Sequence, residues 1–330
     1  MALRVHDRQQ TGERENPLGI GTSAGVLLAF AIVYLVWGST YLAIRFAVES
    51  IPPLLMAGTR FLAAGGALYA WCVMRGAWRR DADSAGARWP IQRPNAAQWQ
   101  GATLTGLYLI AAAYGLVSWA ELTVPSGIVA VVTATTPLWM VVIPWAARRT
   151  ARPPALVLGG VALGLFAQAL LFGIGGNAVH KSIDPWGLGA VLLAGVAWAL
   201  GSLRAREADL PDDPFLSSAM QMLTGGAVLV VVGLLVGEGA RFSLAAVTPR
   251  SWLAWLYLVV AGSMVAYSAY LYLLKATSPA RASTYAYVNP IVAVWLGWLL
   301  AAEPIGWRTV ASMGLTLVAV LGINRGAVEG

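Results

Sequence analysis

The chain reads as one five-helix apolar unit written twice, and because five is odd the second copy must enter a membrane from the opposite side. Apolar stretches of about 20 residues, enough to cross a roughly 30 Å hydrocarbon core, are read at 24–47, 53–74, 97–119, 124–147 and 154–174, and again at 185–203, 214–237, 251–274, 279–302 and 306–324. The expected fold is therefore an all-α integral membrane protein of ten transmembrane helices. Its two inverted repeats cover 24–174 and 185–324, between a cytoplasmic tail at 1–23 and another at 325–330. Inverted repeats of this kind build a midplane site between the two copies.

Any two apolar segments resemble each other, so the duplication has to be checked residue by residue. A shift of 161 pairs Trp37 with Trp198, Arg45 with Arg206, Pro53 with Pro214 and Gly65 with Gly226. Beyond the second stretch the shift is 153, pairing Trp99 with Trp252, Ala113 with Ala266, Tyr114 with Tyr267, Pro137 with Pro290, Val141 with Val294 and Trp145 with Trp298. The change of eight falls within the polar stretch Arg75 to Asn95, so a single loop insertion accounts for both registers.

Composition leaves little room for another class. Hydrophobic residues make up 58% and charged residues 11%, against about 25% charged in a soluble domain. The longest polar intervals, 1–23 and 75–96, are too short for an independent domain. The apolar run that follows Arg4, Arg8 and Arg14 exceeds the roughly 7 to 15 residues of a cleavable signal, so no cleavage is expected.

Charge sets the expected orientation. With both termini on one side, that side holds 16 Arg or Lys, and the other holds Lys181, Arg241, Arg250 and Arg308; Arg45 and Arg60 complete the 22. The positive-inside rule then puts both termini in the cytoplasm. Topology accounts for the net charge of +7, and no nucleic-acid partner is expected. The expected partners are the lipid bilayer, with anionic lipid near 75–93, and a small-molecule substrate, the protein being a monomer or weak homodimer.

Enzyme chemistry finds no foothold. His6 and His180 fall in polar segments and make no metal-ligand spacing with Cys or carboxylates. Neither Lys181 nor Lys275 follows a glycine, so there is no phosphate-cradling GxxxxGK loop. Cys72 is the single cysteine and is read as a packing residue. Gly159, Gly160 and Gly164 are read as small-residue helix contacts. The expectation is no enzyme, no cofactor and no metal.

Polar residues inside apolar helices carry the functional signal, since hydrocarbon makes them costly unless they face a cavity or a partner. Thr133, Thr136 and Pro137 in the fourth stretch match the region of Tyr285, Asn289 and Pro290 in the ninth. A mid-helix proline leaves the carbonyl four residues back without its amide donor. Pro137 would so free Thr133, and Pro290 would free Ala286, the two helix breaks expected of a cavity-lining pair. Trp37, Tyr41 and Arg45 recur at four-residue spacing, and Tyr267 and Tyr270 lie three apart. Such aromatics can serve packing or an interfacial belt, but Trp37, Trp198, Tyr114 and Tyr267 are pairwise repeat mates, which points to an aromatic pocket. Arg60 is the deepest charge. Paired with Glu49, Glu121 or Glu303 it is a brace; unpaired it offers a fixed positive charge to a substrate carboxylate.

The segments Trp37-Gly38-Ser39-Thr40-Tyr41, Pro52-Pro53 through Arg60-Phe61, Val124-Pro125-Ser126-Gly127, Pro185-Trp186-Gly187 and Ser283 through Pro290 resemble the EamA-type branch of the drug/metabolite transporter superfamily, over roughly residues 24–324. That resemblance implies a ten-helix inner-membrane transporter with helices 1, 3, 4, 6, 8 and 9 around a central cavity. It implies export or exchange of small organic metabolites by alternating access, amino acids leading. Efflux of apolar drugs, or a membrane protein that binds without transporting, are the alternatives.

Overall fold

The computed structural model describes residues 22–82, 93–120, 123–124, 129, 132–171, 184–301 and 306–326, and among them every regular element is helical. In chain order the main helices are α1 (Thr22–Ala47), α2 (Pro53–Ala82), α3 (Ala96–Ala120), α4 (Thr136–Ala146), α5 (Ala155–Leu171), α6 (Pro185–Glu207), α7 (Pro214–Leu235), α8 (Pro249–Ala276), α9 (Tyr285–Ala301) and α10 (Trp307–Gly326). Six of them, α1, α3, α6, α7, α8 and α10, are long and apolar enough to span a membrane, and α4 and α5 are shorter apolar helices. This is a multi-pass membrane protein.

Local sequence starts these helices. Asp184, Asp213 and Thr248 each stand as N-cap ahead of a proline, and each accepts from backbone amides of the first turn. The oxygen satisfies an otherwise orphaned amide, and proline at the first helical position has none to satisfy. The Asp184 carboxyl is held below the usual carboxylate range, chiefly by the Thr123 hydroxyl that donates to it, and further by the Trp186 and Gly187 amides.

Two expected helices are interrupted. The fourth stretch does not run unbroken through Pro137: Ala134 and Thr135 form a turn and α4 begins at Thr136, so Pro137 lies in its first turn rather than mid-helix. Proline disfavours helical geometry in the residue before it, which makes an early helix position the low-cost one. The ninth stretch splits into a short helix, Pro279–Ala282, and α9, with a turn at Ser283 and Thr284 between them. Pro290 does lie inside α9, as expected. The second helix runs past the expected end at 74, to Ala82.

At the core, α2 and α7 cross closely enough to leave no room for a Cβ at Gly65 or Gly226. One added to Gly65 would stand 2.9 Å from both the Ala219 carbonyl oxygen and Met222 Cβ, and 3.0 Å from the Leu223 nitrogen. One added to Gly226 would stand 3.1 Å from the Gly58 carbonyl oxygen, and 3.0 Å from both Phe61 Cβ and the Leu62 nitrogen. Adding 161 to Gly58, Phe61, Leu62 and Gly65 yields Ala219, Met222, Leu223 and Gly226. The contact is thus isologous, each helix presenting the same patch to the other. The flanks obey the same rule: α1 packs on α8 and α9, while its mate α6 packs on α3 and α4.

Polar contacts sort the two ends. At one, Arg75 at the end of α2 pairs with the Asp213 cap of α7, Arg149 pairs with Glu207, and Arg206 donates to the Leu274 and Thr277 carbonyls. At the other, Arg250 approaches Glu49 at 3.7 Å, and Gly237, at a left-handed φ of 83°, turns the chain out of α7 into Glu238. Glu238 is buried, its carboxylate accepting from the amides of Leu54 and Leu55 at 3.2 and 2.8 Å. A carboxylate at a helix N-terminus is stabilised by the peptide dipoles, so an acid joins α2 to α7 at each end.

Candidate functional site

Three of the four aromatic repeat mates converge, while Tyr267 turns to Gln221. Trp37 of α1 and Trp198 of α6 meet edge to face with ring centroids 5.8 Å apart, and Trp37 also meets Tyr285 of α9 at 4.9 Å. Tyr114 of α3 lies 6.0 Å from Trp198 and 5.0 Å from Phe61. Tyr270, which sequence reasoning noticed only as a neighbour of Tyr267, belongs to the centre: it contacts Trp37, Trp198 and Tyr285, and its hydroxyl accepts from Trp198 Nε1 at 3.0 Å. Tilted and edge-to-face rings at these distances are favourable beyond their buried area.

Two stretches of π-helix lie against this cluster, Leu107–Ala112 in α3 and Leu258–Val265 in α8. The shift of 153 carries the first onto 260–265, so the irregularity is itself a repeat feature. π-turns inside α-helices concentrate at functional sites, because the altered bonding re-aims side chains and carbonyls. In α8, the Gly262 carbonyl accepts from Trp37 Nε1 at 3.0 Å and the Ser263 hydroxyl accepts from Arg60 Nε at 2.9 Å. Nothing in the hydrophobic pattern of α3 or α8 signals this change of helix type.

Arg60 is buried at 2% exposure, its guanidinium 4.5 Å from the Phe61 ring centroid and 5.4 Å from that of Tyr114. Glu49, one expected partner, is instead at the surface beside Arg250. Glu121 and Glu303 lie outside the described residues. Among the described residues no carboxylate pairs with Arg60. Sequence reasoning passed over its repeat mate: adding 161 to Arg60 gives Gln221, which accepts from the Tyr267 hydroxyl at 2.8 Å. Tyr267 is the mate of Tyr114, so each half holds one long polar side chain with one tyrosine, and only the first carries charge. The two shifts already in hand would have found Gln221.

The remaining candidates are dispersed. The Thr136 hydroxyl donates at 2.7 Å to the carbonyl of Thr133, the group that Pro137 was expected to free, and the Thr133 hydroxyl donates to Val129 at 2.9 Å. Asn289 is buried among carbonyl acceptors; with its carboxamide oriented so that the nitrogen faces them, it donates to the carbonyls of Tyr285 at 3.1 Å and Tyr34 at 3.3 Å, tying α9 to α1. Thr136 and Asn289 share no hydrogen bond. The side chain of Tyr41 lies outside the described ones. Of the three helix glycines, Gly160 packs on α10 and Gly164 on the Tyr287 ring, while Gly159 faces open space.

A helical membrane bundle of two like halves, with polar groups buried among aromatic rings where the halves meet, defines the class as a multi-pass membrane carrier fold. The sequence pattern of the EamA-like transporter family matches residues 23–173 and 185–325, one copy in each half. The chain is 39% identical over 300 residues to the uncharacterized inner membrane transporter YedA of Escherichia coli (strain K12), covering 90% of each protein. It is 23% identical to the chloroplastic WAT1-related protein At3g02690 of Arabidopsis thaliana, over 87% of this chain and 66% of that one. A solved crystal structure has the same fold, with a TM-score of 0.72 at 18% identity, covering 93% of this chain and 98% of that one. The chain belongs to the EamA-like transporter family of the drug/metabolite transporter superfamily, and is a membrane transporter.

Proposed function

We propose that this transporter is a secondary carrier of small organic metabolites, without cofactor or enzymatic activity, that works by alternating access. Its ten spans form two inverted five-helix repeats in the inner membrane. The observation that carries this reading is the pairing of repeat-related π segments in α3 and α8 with a buried aromatic and polar cluster between the halves. A midplane site between inverted repeats can open to either side by rocking one half against the other. Amino acids enter as the leading substrate class through the family resemblance. Counterflow of labelled substrate into proteoliposomes tests the reading: a carrier accumulates label against an unlabelled interior pool, whereas a binding protein saturates without accumulation.

Both termini are assigned to the cytoplasm from the charge count. A reporter active only in the periplasm, fused after Arg93, is expected to be silent; activity there reverses the topology.

Exchange is expected to proceed without an imposed pH difference. A proton-coupled carrier needs a titrating group in its core that faces each side in turn. The described carboxylates sit instead at helix ends and surfaces, Glu238 on the amides that open α2 and Glu49 beside Arg250. Accumulation that requires a pH difference, and that disappears in Glu121→Gln or Glu303→Gln, would assign the coupling to that glutamate.

A second reading, efflux of apolar compounds, draws on a separate feature. An open cleft of about 360 Å³ lies between α1 and α8, lined mostly by apolar side chains such as Leu42, Ala43, Phe46 and Leu253, and also by Ser39 and Arg250. Export of hydrophobic dyes from cells, lost in Ala43→Trp and retained in Arg60→Gln, would favour it.

A further inference from the structure

We infer that Arg60 is an anion anchor. The cargo it holds is a carboxylate on an apolar or aromatic body, bound more tightly as the simple monoanion than as the corresponding amino acid. This rests on the transporter reading and, within small organic metabolites, places a simple carboxylate ahead of the amino acids that the family resemblance suggests.

A guanidinium inside a membrane helix bundle is costly and is retained where it meets a counter-charge or serves function. Among the described residues the partners of Arg60 are neutral: the Ser263 hydroxyl at 2.9 Å, the side chain of Tyr114 as both hydrogen-bond partner and ring, and the ring of Phe61. Guanidinium carries five N–H donors in a planar fork suited to a carboxylate, and the Ser263 bond engages only Nε. The charge adjoins a continuous run of rings, from Tyr114 to Trp198 at 6.0 Å and on to Trp37 at 5.8 Å, which offers contact to an apolar or aromatic body.

Among the described residues the ammonium of an amino acid has no acid to meet. Among the described residues the carboxylates are engaged or surface-borne: Glu49 is beside Arg250, Glu207 on Arg149 and Asp213 on Arg75. Glu238 caps α2, Asp184 caps α6, and Asp209 and Asp212 are exposed. The described site thus carries a single positive charge, and the cargo that neutralises it is a monoanion.

The internal repeat supplies the variant that tests this. At the mate position Gln221 sits fully buried beside Tyr267, so this fold already accepts glutamine in the equivalent setting. Arg60→Gln gives both halves the same Gln and Tyr pair and removes the charge together with the guanidinium donors.

The test is calorimetric titration of purified full-length protein with three ligands of one body: 3-phenylpropionate, phenylalanine and 2-phenylethylamine. Each ligand that binds is then followed by counterflow in proteoliposomes. 3-Phenylpropionate is expected to bind tightest, phenylalanine several-fold weaker, and 2-phenylethylamine not at all. Arg60→Gln is expected to weaken 3-phenylpropionate by about ten- to a hundred-fold, as for loss of charge-assisted hydrogen bonds, with thermal melting preserved. Arg60→Lys is expected to keep part of the affinity. Phenylalanine bound as tightly as 3-phenylpropionate or more tightly, tightest binding of the amine, no binding of 3-phenylpropionate, or binding unchanged in Arg60→Gln would each overturn the proposal. Arg60-dependent binding of 3-phenylpropionate without counterflow would keep the anchor and overturn the transport reading instead.

Discussion

Gly226→Leu and its mate Gly65→Leu are each expected to leave almost no monodisperse protein in detergent extracts of the membrane. At both positions a Cβ alone falls about 3.0 Å from backbone and Cβ atoms of the facing helix, with no flexible chain end to give way. Overpacking a tight contact typically costs about 1–3 kcal/mol, and leucine would add three carbons beyond the Cβ. Close approach of small residues is also what associates helices in a bilayer, where lipid tails compete with any larger apolar contact. Gly66 is the internal control: it is adjacent to Gly65 on α2, yet a Cβ there meets nothing within 4 Å. Gly66→Leu is expected to express normally. Size-exclusion chromatography of the three variants decides the matter, and normal assembly of Gly226→Leu would remove the isologous crossing from the core of the fold.

Asn289→Ala and Thr136→Ala are each expected to lower transport by roughly 5- to 150-fold at matched membrane expression, corresponding to about 1–3 kcal/mol per lost buried hydrogen bond. Asn289 bridges α9 to the Tyr34 carbonyl of α1 where the two helices pass closely: a Cβ at Gly38 would stand 3.2 Å from the Asn289 carbonyl oxygen. Thr136 covers the Thr133 carbonyl at the turn that opens α4. Alanine leaves those carbonyls without these donors, at the two helix breaks where a carrier would move. Initial rates across substrate concentration separate affinity from turnover; unchanged values in both variants would take these residues out of the site.

Much of the architecture was legible because a membrane simplifies the physics. Backbone groups in hydrocarbon must bond internally, so a long apolar run has one outcome, and the starts of α2, α6 and α7 fall where proline stands in the sequence. The repeat was legible because tryptophan, proline and glycine are conspicuous markers; its shift of 161 reappears in the reciprocal contacts of Gly65 and Gly226, and its shift of 153 in the π segments of α3 and α8. The site was only partly legible. Trp37, Trp198, Tyr114 and Tyr285 do come together, but Tyr270 and Gln221 were not selected, and Thr136 was grouped with an asparagine that it does not bond.

By itself the sequence determined the all-helical membrane class and the duplication. These depend on length, polarity and residue identity along one chain, and local physics suffices for them. Tertiary structure alone decided that α3 and α8 pass through π-helix, that the fourth stretch breaks at Ala134 and Thr135, and that Arg60 meets a serine and two rings with no described carboxylate beside it. Each of these turns on which competing hydrogen bond or contact wins once helices distant in sequence are packed together. Trp37 reaches the Gly262 carbonyl across 225 residues, and no periodicity within either segment encodes that meeting.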